Sequence, residues 1–116
     1  MPAPSPLAIS TSSVQRLLKE EASYHKELAE QQSRADALAK KTGEDEDGNA
    51  EFLLKQQRAA VEQTRAVFAP LRARIDEAVA KLDDQIASAT GAGHDGDLGR
   101  ARDVLEEARK AEAARA

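Results

Sequence analysis

The chain has 116 residues, enough for one small domain, and its one tyrosine, two phenylalanines and lack of tryptophan require a core of aliphatic side chains. The absence of cysteine excludes disulfides and thiolate chemistry, and no apolar run approaches the roughly 18 residues that a membrane span needs. The net charge of −4 comes without the basic, aromatic-bearing face typical of nucleic-acid binding, so we expect neither nucleic acid nor membrane as a partner.

The N-terminal segment alternates proline with small residues, and residues 1–6 are predicted to form a disordered leader. They have neither the basic start nor the apolar stretch of a secretion signal, so the sequence predicts a soluble intracellular protein. A first helix is predicted over residues 11–41, because Ser12 and Gln15 have capping-box spacing and an apolar stripe follows them.

The stripe of the first helix advances in steps of three and four residues, as one face of an α-helix does. It contains two polar members, Glu21 and Gln31, which we expect at the edge of the stripe and in contact with solvent. The members in order are Val14, Leu17, Leu18, Glu21, Tyr24, Leu28, Gln31, Ala35 and Leu38.

The second helix, predicted over residues 50–89, follows an acidic connector in which Asp47 or Asn49 is a candidate N-cap. A proline within this helix, Pro70, costs on the order of 3 kcal/mol, and we expect it to bend the helix between Ala66 and Pro70. The helix has an apolar seam with a seven-residue repeat, formed by Leu54, Val61, Phe68, Ile75 and Leu82.

A third helix is predicted over residues 97–110, after a flexible turn rich in glycine and with Asp95 or Asp97 as its cap. The last residues, 111–116, are expected to fray. Short connectors make consecutive helices antiparallel, so residues 7–110 are predicted to form an all-α, coiled-coil-like antiparallel three-helix bundle with two long helices and one shorter. The stripe of the third helix is Leu98, Ala101, Val104, Leu105 and Ala108.

Two segments have the letters of ligand-binding motifs but the wrong context. Residues 91–96 match G-x-G-x-x-G, yet a predicted helix precedes them where the dinucleotide motif needs a strand. Residues 45–48 resemble the middle of a calcium loop, but Gly43 and Leu54 occupy the positions that require an aspartate and a bidentate glutamate. We therefore expect neither phosphate nor calcium binding.

The two histidines, His25 and His94, have no second histidine or cysteine at ligand spacing, and His25 is expected along the flank of the first helix. No set of residues suited to nucleophilic or acid–base catalysis occurs, so we predict no enzyme, no metal and no cofactor. Two interpretations of the charged helix faces stay open. They bind another protein, or they only solvate the bundle.

Residues in all three predicted helices share their order and spacing with a known family. In the first they are Leu7, Ile9, Thr11, Val14, Arg16, Leu17, Lys19, Glu20, Tyr24, Lys26 and Glu27. In the second they are Lys55, Gln56, Glu62, Pro70, Arg74, Ile75 and Ala78, and in the third Ala101, Arg102, Val104 and Leu105. Over residues 7–110 the sequence thereby resembles the tubulin-binding cofactor A (tubulin-specific chaperone A) family, departing from it in the acidic and glycine-rich connectors.

The resemblance implies a three-helix bundle that acts without nucleotide, cofactor or catalysis. It implies a cytoplasmic chaperone of the cytoskeleton, associated with microtubules, that captures quasi-native β-tubulin after its release from the cytosolic chaperonin. The protein would then pass β-tubulin on in the tubulin cofactor pathway, possible partners being the other tubulin-folding cofactors. It would be a monomer or weak homodimer.

We expect the tubulin-binding residues among the polar side chains beside the seam of the first two helices, and structural roles for Pro70, Tyr24 and Phe68. The predicted binding residues are Arg16, Lys19, Glu20, Lys26, Glu27, Arg65, Arg72 and Arg74. The rival hypothesis is a structural coiled-coil or adaptor module whose seam pairs with a copy of itself or with another helical protein.

Overall fold

The computed structural model describes residues 4–43, 48–89 and 95–115, which form three helices and, within those ranges, no strand. Helix α1 runs over Pro6–Lys41, α2 over Asn49–Ser88 and α3 over Asp95–Ala114. They fall into two compact units, which we call unit 1 (Met1–Glu20 with Leu71–Ala116) and unit 2 (Glu21–Pro70). Helices α1 and α2 contribute to both units and α3 to unit 1. None of the described helices has the length and apolarity to cross a membrane.

Unit 1 is a bundle of three helices with an aliphatic core. Val14 of α1, Leu82 of α2 and Ala101 of α3 are each 0% exposed, and they belong to one cluster of buried side chains. Burying a valine or leucine fully stabilises a fold by about 1.5–3 kcal/mol, so this cluster is the main source of stability in unit 1. The cluster consists of Leu7, Val14, Leu82, Ala101, Val104, Leu105 and Ala108.

Unit 2 is a pair of antiparallel helices. Tyr24 packs edge-on against Phe68 with ring centroids 6.4 Å apart, and Gln31, further along α1, bonds to Thr64, which lies earlier in α2. The paired residue numbers rise on one helix as they fall on the other, which is the antiparallel arrangement. Together with the three helices of unit 1, this confirms the predicted all-α antiparallel fold.

The seven-residue seam of α2 is confirmed in both units. Leu54, Val61 and Phe68 are 6–7% exposed, while Ile75 and Leu82 are 2% and 0% exposed. Pro70 lies within α2 on its exposed side, and the division between the two units falls directly after it. The bend expected between Ala66 and Pro70 stays a prediction.

Helix α1 begins at Pro6 and not at residue 11, because Ser5 is its N-cap. The Ala8 N–H donates to Ser5 Oγ at 3.0 Å, and proline suits the first helical position because it has no N–H to satisfy. Ser5 Oγ in turn donates to Asp97 Oδ2 at 2.8 Å. The predicted leader is therefore wrong at Pro6, and the predicted cap at Ser12 lies inside the helix. Residues 1–3 are outside the described range.

The serine- and threonine-rich run after the true cap is helical. Ser10 is 5% and Thr11 1% exposed, and the Thr11 hydroxyl donates to the Leu7 carbonyl one turn earlier at 2.8 Å. That bond satisfies the buried Thr11 hydroxyl within its own helix, so Thr11 is buried without the cost of an unmade hydrogen bond.

The start of α2 also differs slightly from the prediction. Asn49 is the first helical residue, and Gly48, with φ of 72°, accepts the Phe52 N–H at 3.1 Å through its carbonyl. A positive φ costs glycine little, so Gly48 suits this entry into the helix. Asn49 is thus not the cap, and Asp47 lies in the part of the chain that the structure does not describe.

Helix α3 is longer at both ends than predicted. It contains Asp97, which accepts the Ser5 bond and is not a cap. The glycine-rich turn was expected over residues 90–99, but residues 95–99 are helical, while residues 90–94 and the Asp95 side chain are outside the described part. Fraying was expected over residues 111–116, but the chain is helical as far as Ala114. Arg115, directly after the helix, lies 3.6 Å from Asp76 with a side chain only 13% exposed, and this contact holds the end of α3 in unit 1.

Candidate protein-binding surface

Of the two polar members of the α1 stripe, Glu21 does not reach solvent as predicted, whereas Gln31 keeps part of its surface exposed. Glu21 is 4% exposed and has an interaction partner, as a buried carboxylate requires. Gln31 is half-buried, and its Oε1 accepts the Thr64 hydroxyl of α2 at 2.7 Å. The partner of Gln31 is distant in the sequence, so spacing along one helix does not reveal it. Gln31 therefore links α1 to α2 through Thr64.

The aromatic residues of unit 2 form one stack around Phe68. Tyr24 meets its ring edge-on, and the His25 ring lies 4.5 Å away, tilted by 32°. Phe68 is buried while His25 is exposed, so the histidine covers an aromatic face at the surface of the helix pair. In the described part of the chain, no group of three or more His, Cys, Asp or Glu residues is placed to hold a metal ion.

The eight predicted binding residues divide between the two units. Six are exposed, while Glu20 and Arg72 are half-buried. The structure does not bring all eight together in one unit. Unit 1 holds Arg16, Lys19, Glu20, Arg72 and Arg74, and unit 2 holds Lys26, Glu27 and Arg65.

Two of the unit 2 residues already have polar partners within the chain. Arg65 Nη1 lies 3.0 Å from Glu62 Oε1, and Glu27 Oε1 accepts a long 3.4 Å bond from Gln31. Both contacts are exposed, and a surface pair one helical turn apart contributes only about 0.3–0.5 kcal/mol. These residues can therefore exchange their present contacts for a partner at little cost.

The structure adds an exposed apolar pair at the start of α2. Phe52 is 58% and Leu53 is 40% exposed, the only large apolar side chains besides Ile9 that the described residues leave so open. Phe52 lines a groove of about 460 Å³ together with Lys55 and Arg58. Neither cation has a hydrogen bond or ion pair among the described residues. Phe52 is not a member of the seven-residue seam, so the sequence already contained a signal that this side chain is exposed.

A second groove adjoins the first at Arg58. Its volume is about 570 Å³, and its floor includes the buried Val61 and the half-buried Ala35. The other residues that line it are Gln32 and Asp36 of α1 and Arg58, Glu62 and Arg65 of α2. Of the eight predicted residues, Arg65 alone lines this groove. Arg58 lines both grooves and was not among those predicted, because nothing in the helical periodicity distinguishes one exposed arginine from another.

Comparisons with known proteins agree with the fold and with the resemblance seen in the sequence. The crystal structure of tubulin folding cofactor A from Arabidopsis thaliana matches with a TM-score of 0.73 and 24% sequence identity, over 90% of this chain and 92% of that chain. The comparison with curated proteins gives no match. The family model described as tubulin binding cofactor A matches residues 2–111. The chain therefore belongs to the tubulin binding cofactor A family.

Proposed function

We propose that the protein binds β-tubulin that is nearly folded but not yet paired with α-tubulin, and holds it in the tubulin-folding pathway. The observation that supports this most directly is the family match over residues 2–111, which covers all three helices. This function needs neither nucleotide nor catalysis, because the protein would act only by binding β-tubulin.

The physical mechanism is mass action. A protein that binds only the quasi-native form of its partner stabilises that form against unfolding, by about 2.7 kcal/mol when its free concentration is 100 times the Kd. Binding also covers the surface that would otherwise aggregate. Release follows when the next partner in the pathway competes for the same surface.

The helical faces, and not the connectors, are the proposed contact surface. The eight predicted residues support this, since six are exposed and their signs are mixed, as polar recognition requires. They remain our proposal for the tubulin-binding set. In the cell we place this activity in the cytoplasm near microtubules, with other tubulin-folding cofactors as further partners and with the protein a monomer or weak homodimer.

The test uses purified protein with separately prepared tubulin subunits that have just been released from the chaperonin. Size-exclusion chromatography should show co-elution with β-tubulin, in the absence of added nucleotide, and none with α-tubulin. Retention of neither subunit, or equal retention of both, would refute the proposal.

The structure does not favour the rival adaptor function. An adaptor would use the α2 seam to pair with another chain, but Leu54, Val61, Phe68, Ile75 and Leu82 are all buried within this chain. Light scattering decides between the two functions. A compact monomer agrees with the chaperone, whereas an obligate elongated dimer would support the adaptor.

A further inference from the structure

The first observation concerns one line of residues along α2. In unit 1 the half-buried Val79 and Ile86 lie on this line and pack against the core cluster that α3 shares. Counting back in steps of seven passes Arg72 and reaches Arg65 and Arg58 in unit 2. Residues seven apart lie on nearly the same side of a helix. The side of α2 that is apolar in the three-helix unit is therefore lined by arginines in the two-helix unit.

The second observation is the space beside those arginines. The groove of about 570 Å³ lies between α1 and α2 of unit 2, and we call it the Arg58 groove. Its apolar floor is formed by Ala35 and Val61, and its rims are polar. In unit 1 a third helix covers the α1–α2 pair, whereas unit 2 contains segments of α1 and α2 alone. The groove is thus open to a third helix from elsewhere.

The charges on the rims are not equivalent. Glu62 is paired with Arg65 at 3.0 Å, so these two largely compensate each other. Arg58 and, next to it, Lys55 have no ion pair or hydrogen bond among the described residues. A guanidinium with five donors is suited to hold a carboxylate through two parallel bonds. Asp36, on α1, is the rim carboxylate that a negatively charged occupant must tolerate.

An exposed aromatic residue continues the surface beyond Arg58. Phe52 is 58% exposed and shares the adjoining groove with Arg58. Aromatic side chains and arginine are the residue types that dominate the energetics of protein interfaces. An exposed phenylalanine next to two cations that have no ion pair or hydrogen bond among the described residues therefore suits a protein that offers both an apolar residue and an acid.

We propose that the Arg58 groove receives a helix of the tubulin subunit, which packs on Ala35 and Val61 and presents a carboxylate to the Arg58 guanidinium. Phe52 packs against the same partner at the rim. The inference rests on the proposed function and specifies where the partner binds. The helix covers the α1–α2 pair of unit 2 as α3 covers that of unit 1, and Arg58 favours an acidic residue on the edge that faces it.

The test is the affinity for chaperonin-released β-tubulin, measured by fluorescence anisotropy at two salt concentrations. We expect Arg58→Glu to weaken binding by about 30-fold, since it places a like charge against the carboxylate. We expect Phe52→Ala to weaken it about tenfold. Asp36→Asn should strengthen it about twofold by removing a repulsive charge, and Arg58→Glu should also lower the salt dependence.

The matched control is Arg109→Glu, the same charge change at an exposed residue of α3 in unit 1. It should bind within about twofold of the unsubstituted protein. All four variants change exposed side chains, and unchanged circular dichroism melts establish that each is folded. If Arg58→Glu binds as tightly as Arg109→Glu, the groove is not the site although the proposed function stands. If the unsubstituted protein does not bind β-tubulin, both proposals fail.

Discussion

The two units of this chain achieve burial in different ways. In unit 1, three helices enclose aliphatic side chains, and Val14, Leu82 and Ala101 lose all contact with solvent. In unit 2 two helices meet, and the seam residues Leu54 and Val61 keep 6–7% of their surface exposed. Two helices enclose a core less completely than three, and the contacts between the helices of unit 2 include an aromatic pair and the Thr64–Gln31 hydrogen bond.

The contrast indicates a division of labour. Unit 1 buries most of its large apolar side chains, with the exception of Ile9, which is 57% exposed, and we infer that it provides most of the stability. Unit 2 leaves Phe52, Leu53 and the arginine-lined groove open to solvent. Exposed apolar surface beside unpaired charge is typical of interaction sites and not of stable cores. We therefore propose that the folding stability rests mainly on unit 1 and that unit 2 adds the Arg58 groove to the recognition surface. The following variants test the part of this proposal that concerns folding.

The largest expected effect comes from truncating one seam residue in each unit. Leu82→Ala should lower the free energy of unfolding by about 4 kcal/mol, because it leaves a fully enclosed cavity. Leu54→Ala should lower it by about 2 kcal/mol, because its site is open enough for water or neighbours to fill the space. Urea unfolding measures both. The chemistry of the two substitutions is identical, so equal losses would contradict the difference between the units.

The seam itself was predictable because burial imposes a strict period on α2. Every seventh residue from Leu54 to Leu82 is buried, so the tertiary packing agrees with the periodicity of the sequence there. The start of α1 was not predictable, because the serine-rich run at 10–13 has a stronger capping pattern than Ser5 and Pro6. The bond between Ser5 and Asp97 favours Ser5 as the cap. Asp97 is distant in the sequence, so no local pattern around Ser5 predicts this bond.

The candidate site was predictable only in kind. The lack of catalytic sets left two interpretations of the charged faces, protein binding and solvation, and Arg65 is the one predicted residue that lines the Arg58 groove. Periodicity constrains the buried face of a helix and leaves the exposed face free, so it does not distinguish Arg58 from other exposed arginines. The grooves depend on how α1 and α2 pack against each other in unit 2, and the pattern of either helix alone does not contain that packing.

The next effect concerns the last residue of unit 2. Pro70→Ala restores a backbone N–H that can donate to the Ala66 carbonyl, and the side chain is exposed, so no packing is lost. We expect a gain of about 2 kcal/mol, visible as a higher Tm. Slower hydrogen exchange at residues 66–74 should accompany it. A lower Tm would mean instead that the packing of α2 requires the proline.

A smaller effect tests the cap of α1 in unit 1. Ser5→Ala removes the acceptor of the Ala8 N–H and the donor to Asp97, and should cost about 1.5 kcal/mol. Ser12→Ala is the matched control. Ser12 lies inside α1, where alanine is the better helix former, so this change should be neutral or slightly stabilising. Thermal unfolding followed by circular dichroism compares them. The reverse order would place the cap at Ser12 after all.

The smallest effect concerns the polar contact between the helices of unit 2. Thr64→Val keeps the side-chain volume but removes the hydroxyl that donates to Gln31 Oε1 at 2.7 Å. Gln31 is half-buried, so water can replace the lost donor. We therefore expect the free energy of unfolding to fall by about 1 kcal/mol, which is less than the loss for a fully buried acceptor without a partner.

A double-mutant cycle with Gln31→Met isolates this bond from the other effects of each change. We expect a coupling energy of about 0.5–1 kcal/mol, since the two residues are in direct contact. The same cycle on Thr64 and the exposed Glu51, which lie far apart on α2 and share no partner among the described residues, should give about zero. A coupling energy near zero for both pairs would mean that the Thr64–Gln31 bond does not contribute to the pairing of α1 with α2, which would then depend on the other contacts of unit 2.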